Sequence, residues 1–150
     1  MILAGDLGGT KSNLGLFDVQ RERLVCVARK RFASAEHSGL EEIITLFLSG
    51  TSTKIAHASF GIAGPVVNNR VRGTNLPWVV EGAAVAKHLG LSYVRLLNDL
   101  EASAYGIAVL EPQDIETIYA GVSTPQATQV IIAAGTGLGE AVFSMNTARM

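Results

Sequence analysis

The chain has 150 residues, of which 48% are hydrophobic and 17% charged, so it has the length and composition of a globular domain that buries a core. Its net charge is −1 and its Lys and Arg residues are scattered, which argues against a surface that binds nucleic acid or an anionic membrane. Neither a leader nor a membrane-spanning run is recognisable, so we expect a cytoplasmic location and no membrane partner.

Three short apolar segments open the chain and predict a meander of three strands. They cover residues 2–7, 12–18 and 24–32. The first two flank a Gly-Gly-Thr turn at 8–10, a hairpin signal in which glycine adopts positive φ without a steric penalty. The third contains the one cysteine, Cys26, which cannot form an internal disulfide and is expected to be a small buried residue.

The next segment has the clearest helical periodicity of the chain. Its apolar residues recur at i, i+3, i+4, i+7 and i+8, and they are Leu40, Ile43, Ile44, Phe47 and Leu48. Ser38 is the expected N-cap and Gly50 the expected stop. A strand over 55–62 then ends in the turn Ala-Gly-Pro at 63–65, and a polar loop at 74–78 precedes a weaker helix at about 81–89 that Gly90 terminates.

A strand over 93–97 and a helix after it complete the order β-β-β-α-β-α-β-α. We expect a small α/β lobe over residues 1–110, a connector over 111–126, and the truncated beginning of a second domain over 127–150. In that last part a strand over 128–134 has a returning partner at 141–144, and a lone hairpin is marginal in water. Its exposed apolar face predicts self-association or poor solubility.

Asn98 and Asp99 lie where the strand over 93–97 gives way to the helix. One interpretation is capping, in which Asn98 accepts a hydrogen bond from the first helical turn and Glu101 reaches back. The other is catalytic, because a carboxylate at a helix N-terminus stays ionised and points out of the carboxyl edge of a sheet, where ligands bind. The two interpretations are compatible, and this stretch alone leaves both open.

Two glycine clusters predict phosphate-binding turns. In such turns backbone N–H groups and a hydroxyl face phosphate oxygens, and Asp6 in the first can hold the hydration shell of Mg²⁺. The first cluster comprises Gly5, Asp6, Leu7, Gly8, Gly9 and Thr10, and the second Gly135, Thr136, Gly137 and Gly139. An ordinary Gly-Gly hairpin explains the first alone, but both together with an acid at a strand end favour a two-lobed site for phosphoryl transfer. Neither a GxxxxGK[ST] P-loop nor a GxGxxG dinucleotide motif after a strand occurs.

Five motifs, in this order and at these distances, resemble the bacterial glucokinase family, within the superfamily of sugar kinases, heat-shock proteins and actin. They are GDLGGT, FGIAGPV, TNLPW, LLNDLEASAYGI and AAGTGLGEA. The resemblance covers residues 1 to about 144. It implies an α/β fold of the ribonuclease H-like (actin-like ATPase) type, in which a three-strand meander is followed by alternating helices and strands.

The resemblance also implies an activity: phosphorylation of glucose to glucose 6-phosphate with ATP and Mg²⁺. The first glycine cluster then matches the motif that handles the ATP phosphates and Mg²⁺, with Asp6 acting through water, and the second matches a phosphate motif at the start of the larger domain. Asn98 and Asp99 match the pair that binds the sugar, with Asp99 as the base for the 6-hydroxyl. Thr74, Asn75 and Trp78 match a loop that borders the sugar pocket.

The family continues with a Glu-Gly-Gly-His stretch and a further Glu that hold the remaining sugar hydroxyls, and neither occurs here. His37, His57 and His88 do not fit that role. We therefore expect this chain to represent an N-terminal part that does not turn over alone. Two alternatives remain: a kinase for another hexose or an amino sugar, and a non-catalytic sugar- or nucleotide-binding module.

Overall fold

A computed structural model of the chain describes residues 1–21, 23–73, 76, 78–122, 124–125, 127–134 and 138–143, the last without its side chain. The chain divides into two compact units, residues 1–99 and 100–150. The division into 1–110, 111–126 and 127–150 made from the sequence stays a prediction.

The first unit is built around one mixed sheet. Its helices and strands are, in chain order, β1 (Ile2–Leu7), β2 (Lys11–Gln20), β3 (Arg23–Ala33), α1 (Leu40–Leu48), β4 (His57–Ile62), β5 (Val66–Val67), β6 (Arg70–Arg72), β7 (Val79–Glu81), α2 (Gly82–Leu89) and β8 (Arg95–Asn98). The five-stranded sheet has the order β3-β2-β1-β4-β8. Strands β1, β2 and β3 are antiparallel neighbours, and β4 and β8 run parallel to β1. The predicted meander and the alternation that follows it are confirmed.

The two helices and one face of the sheet form a single buried cluster. Leu3, Leu7 and Phe60 from the strands and Ile43 and Val85 from the helices are all completely buried in it. The apolar stripe predicted for α1 is therefore the face that it buries. The left-handed glycines that follow α1 and α2, with φ of 84° and 68°, end both helices as expected.

Two expectations for the first unit are wrong. Cys26 is exposed, because it lies on β3, one of the two edge strands of the sheet, in which only one residue is buried. Ser38 is not the N-cap of α1. Gly39 occupies that position, and it has no side chain with which to cap the helix. The Ser38 hydroxyl and backbone N–H instead donate to Glu42 Oε2, at 2.6 and 2.8 Å.

A second, three-stranded antiparallel sheet, β5-β6-β7, lies where the sequence predicts only a turn and a polar loop. Strands of two and three residues are too short for alternation to reveal them. One signal was available: Asn68 and Asn69, with φ of 51° and 56°, form the two-residue turn between β5 and β6, and asparagine tolerates this conformation better than most residues.

The second unit contains most of α3 (Asp99–Ile107), followed by a hairpin of β9 (Gln129–Ala134) and β10 (Leu138–Phe143). The strands are antiparallel and pair in register from Leu138 with Ala134 to Phe143 with Gln129. The predicted hairpin is confirmed, although its second strand starts three residues earlier than expected. In the described part of the chain, every helix is too short or too polar to cross a membrane.

Candidate active site

Three parallel strands of the first unit end in the same row of the sheet. Leu7, the last residue of β1, pairs with Ile62, the last residue of β4, and Ile62 pairs with Asn98, the last residue of β8. Neighbouring strands lie about 4.8 Å apart, so Leu7 and Asn98 are separated by roughly 10 Å across this edge. The glycine turn after β1, the turn after β4 and Asp99 therefore all follow the carboxyl edge of one sheet, the edge at which open α/β sheets bind ligands.

The side chain of Asn98 is tied to the neighbouring turn. Its Nδ2 donates to the carbonyl oxygen of Gly64 at 3.0 Å, and this hydrogen bond is partly buried. Gly64 has φ of 134°, a conformation that residues with a side chain rarely adopt. Because the amide group of Asn98 donates to Gly64, its Oδ1 is the atom that is suited to accept a bond from α3, and the predicted capping role stays a prediction.

Asp6 is held in place by two residues that the sequence analysis did not single out. Its exposed carboxylate accepts a hydrogen bond from Asn13 Nδ2 at 3.2 Å, and Asn13 Oδ1 accepts one from Arg31 Nε at 3.0 Å. The signal was in the hairpin register, because Asp6 lies opposite Asn13 and Asn13 lies opposite Arg31. The row of Asp6, Asn13 and Arg31 across β1, β2 and β3 thus places the positive charge of Arg31 two strands away from the Asp6 carboxylate.

The first glycine cluster combines core positions with a tight turn. Leu7 is fully buried, and a Cβ on Gly5 would lie 2.5 Å from the Phe60 ring, so these two residues can offer a ligand only their backbone. Within the turn, the Gly8 N–H donates to the Lys11 carbonyl at 3.0 Å. A Cβ on Gly8 would come within 3.1 Å of the same oxygen, so a side chain at this position would crowd the turn.

Of the predicted sugar loop, the structure describes only Leu76 and Trp78. Thr74 and Asn75 lie outside the described residues. A Cβ on Gly73 would be 2.8 Å from Leu76 Cβ, so the chain packs closely upon itself there. Trp78 is 9% exposed, and its indole N–H donates to the Ser34 carbonyl at 3.3 Å.

The second glycine cluster is described only at Gly139, because Gly135, Thr136 and Gly137 lie outside the described residues. Within the second unit a Cβ on Gly139 would be 2.9 Å from Leu100 Cδ1. β10 therefore packs closely on the Leu100 side chain, which would have to move to admit a larger residue here.

Metal binding at this edge would rest on few protein groups. Among the described residues, no group of three or more His, Cys, Asp or Glu side chains is arranged to hold a metal ion. Mg²⁺ fits such a site, because it keeps several waters and typically takes one or two carboxylates together with substrate phosphates. His37 and His88 hydrogen-bond Glu42 and Thr45 instead, and His57 begins β4, at the far end of that strand.

Comparison with known proteins identifies the family. The glucokinase family model matches residues 3–150. The chain belongs to the glucokinase family. This confirms the resemblance carried by the five motifs.

The relatives are longer than this chain. The glucokinase of Nostoc punctiforme is 37% identical over 142 residues, which are 93% of this chain and 42% of that protein. The Synechocystis glucokinase is 35% identical over 149 residues, again 42% of that protein. The chain thus spans about two fifths of the length of the curated glucokinases it matches.

Solved structures confirm the actin-like ATPase type of fold. A glucokinase from an Antarctic psychrotroph superposes with a TM-score of 0.83 at 26% identity, covering 97% of this chain and 47% of that one. A ROK family glucokinase from Streptomyces griseus, in complex with glucose and AMPPNP, gives a TM-score of 0.67 at 24% identity, with 99% and 46% covered. At 24% identity, the similarity to the Streptomyces griseus structure shows a shared fold only.

Proposed function

We propose that the whole protein transfers the terminal phosphoryl group of ATP to the 6-hydroxyl of glucose. The observation that carries this proposal is the row in which β1, β4 and β8 end, because it brings the first glycine turn and Asp99 to one edge of one sheet. Membership in the glucokinase family supports the reaction, and the glucose and AMPPNP bound by the Streptomyces griseus relative support the choice of sugar and nucleotide.

In this proposal Asp99 is the catalytic base that accepts the proton of the 6-hydroxyl, and Asn98 binds the sugar beside it. The hydrogen bond from Asn98 to Gly64 fixes the end of β8, and so fixes where Asp99 begins the next helix. Phosphoryl transfer requires little covalent chemistry from the protein, so the positioning of Asp99 contributes much of the rate acceleration. Thr74, Asn75 and Trp78 border the sugar.

ATP and Mg²⁺ are the cofactors we propose, with the phosphates held by two glycine motifs. In the first, Gly8 already donates its N–H to Lys11, so the N–H groups of Gly9 and Thr10 and the Thr10 hydroxyl are the donors we assign to phosphate. Asp6 would hold Mg²⁺ through water, and the bound ion would neutralise phosphate charge. The second motif comprises Gly135, Thr136, Gly137 and Gly139.

We further propose that residues 1–110 form the small lobe, 111–126 a connector and 127–150 the beginning of the large domain. The reaction would take place in the cytoplasm, where ATP is available, and its product would enter glycolysis. A kinase for another sugar is the second candidate, because a putative N-acetylmannosamine kinase from Listeria monocytogenes shares the fold with a TM-score of 0.60.

The test is Asp99→Asn in the whole protein, measured by coupled assay with glucose and with N-acetylmannosamine. Asparagine keeps the size of the side chain and removes the base, so kcat should fall by about 10²- to 10⁴-fold while the dissociation constant for the sugar changes little. Glu101→Gln, the same chemical change on an exposed residue of α3, is the matched control and should keep parental turnover.

Normal turnover by Asp99→Asn would refute the assignment of the base. Preference for the amino sugar in the parent protein would favour the second candidate over glucose. Binding of sugar and nucleotide without turnover would favour a non-catalytic module.

A further inference from the structure

Two buried serines lie beside the first glycine turn. Ser12, the second residue of β2, and Ser34, in the 3-10 turn after β3, are both completely buried, and their Oγ atoms are 2.9 Å apart. Burying a hydroxyl costs free energy unless the hydroxyl is hydrogen-bonded, so the hydrogen-bond partners of the two serines indicate which segments they stabilise.

Ser34 binds both ends of the glycine turn. Its hydroxyl donates to the Gly8 carbonyl at 2.7 Å, and its backbone N–H donates to the Thr10 carbonyl at 3.1 Å. A serine hydroxyl has one proton, and since that of Ser34 goes to Gly8, Ser12 must donate to Ser34 in their mutual bond. Ser12 therefore supports Ser34 without bonding the turn through its own side chain.

Ser34 also binds the end of the sugar loop. Its carbonyl accepts the indole N–H of Trp78 at 3.3 Å in a buried hydrogen bond between residues 44 positions apart in the chain. One residue thus connects Gly8 and Thr10, on the side assigned to nucleotide, with Trp78, on the side assigned to sugar.

We propose that Ser34 is a positioning residue that holds the nucleotide turn and Trp78 in a fixed relation. The inference rests on the proposed kinase activity and deepens it. In-line transfer needs the sugar hydroxyl and the terminal phosphorus aligned to within a fraction of an ångström, and a displacement of about 1 Å can cost 10²-fold in rate. A partly buried hydrogen bond to Gly8 and a buried one to Trp78, both from a single residue, set that alignment without touching either substrate.

The test compares Ser34→Ala with Ser12→Ala in the whole protein. Both remove one hydroxyl from a fully buried position, and Ser34→Ala should lower Tm more, because it also leaves the Ser12 hydroxyl without its acceptor. Only Ser34→Ala cuts the bond to Gly8, so it should lower kcat/KM for ATP by about 10- to 100-fold, with a fall in kcat, whereas Ser12→Ala should stay near the parental value.

A double-mutant cycle adds a readout that a purely structural role would not produce. Trp78→Phe removes the indole N–H and cuts the same connection at its other end. Ser34→Ala cuts the bond to Gly8 but keeps the backbone bonds to Thr10 and Trp78. Because the Gly8 bond aligns the two sides only while residue 34 is also bonded to Trp78, the losses in kcat/KM should be less than additive when Ser34→Ala and Trp78→Phe are combined.

The possible outcomes distinguish a failure of the positioning role from a failure of the proposed kinase function. Equal kinetics for Ser34→Ala and Ser12→Ala in an active parent, or additive losses in the cycle, would overturn the positioning role alone. A parent protein that phosphorylates no sugar would overturn the proposed function, and the inference with it.

Discussion

The two units of the chain use apolar residues in different ways. All residues of the main buried cluster lie within residues 1–99. Among the described residues of the second unit, Ala104 is the single buried hydrophobic residue. Ile118, Tyr119 and Val122 are each more than 90% exposed. An apolar sequence therefore becomes a core only where elements meet face to face.

The difference follows from the elements available to each unit. In the first, two helices bury their apolar stripes in one cluster with a five-stranded sheet. In the second, one side of the β9–β10 hairpin carries Val130, Ile132, Leu138 and Val142, which are 63–73% exposed. A hairpin needs a further strand or a helix over that side to be stable in water.

The largest expected effect tests this contrast with one substitution made in both units. Leu3→Ala removes a fully buried strand leucine and should lower the free energy of unfolding by about 2–5 kcal/mol. Leu138→Ala removes a strand leucine that is 67% exposed and should change it by less than about 0.5 kcal/mol. Urea denaturation measures both, and equal losses would mean that the second unit has a core of its own.

A smaller effect is expected from the exposed side of the hairpin. Val130 and Val142 pair directly across the strands, so we predict that they help the chain to associate with itself. Changing both to threonine replaces two methyl groups by hydroxyls, about 0.8 kcal/mol each, and should weaken association about tenfold. Light scattering over a range of concentrations measures this. A stable monomer before any substitution would contradict the prediction.

The smallest effect concerns an electrostatic contact of the first unit. Hydrogen bonds from the Ser38 side chain and from His37, together with the Ser38 backbone bond, lower the pKa of Glu42 from 4.5 to about 2. A lowered folded-state pKa stabilises the protein above the unfolded value, so this contribution is complete above pH 4.5 and is lost as the pH falls towards 2.

Ser38→Ala should therefore raise the pKa of Glu42 towards 4.5 and destabilise the chain slightly at neutral pH. The carboxyl chemical shift of Glu42, followed through a pH titration, measures the change. Ser49→Ala, at the other end of α1, is the matched control, because its hydroxyl bonds the Leu46 carbonyl and not Glu42. An unchanged titration after Ser38→Ala would contradict the assigned cause.

Elements with a clear local pattern could be predicted, and those defined by pairing could not. β1 has the predicted bounds and α1 lies between the predicted limits, because an apolar run of six residues and a helical period over nine residues can be recognised in the sequence. The β5-β6-β7 sheet was missed because its strands are too short to show a period. Ser38 was misassigned because a serine before a helix can bond either the first turn or a nearby carboxylate, and packing chooses between them.

What the amino-acid sequence determined by itself was the fold class, the order of elements, the glycine turn after β1 and the family. The first three depend on near neighbours in the chain, and the family depends on motifs whose order and spacing can be read along it. The tertiary structure decided which groups from different segments meet: the side chains of Asn13 and Asp6, the Asn98 side chain and the Gly64 carbonyl, and the Trp78 indole and the Ser34 carbonyl. These contacts depend on strand order and register, which exist only after chain segments far apart have paired, and local periodicity carries no record of them.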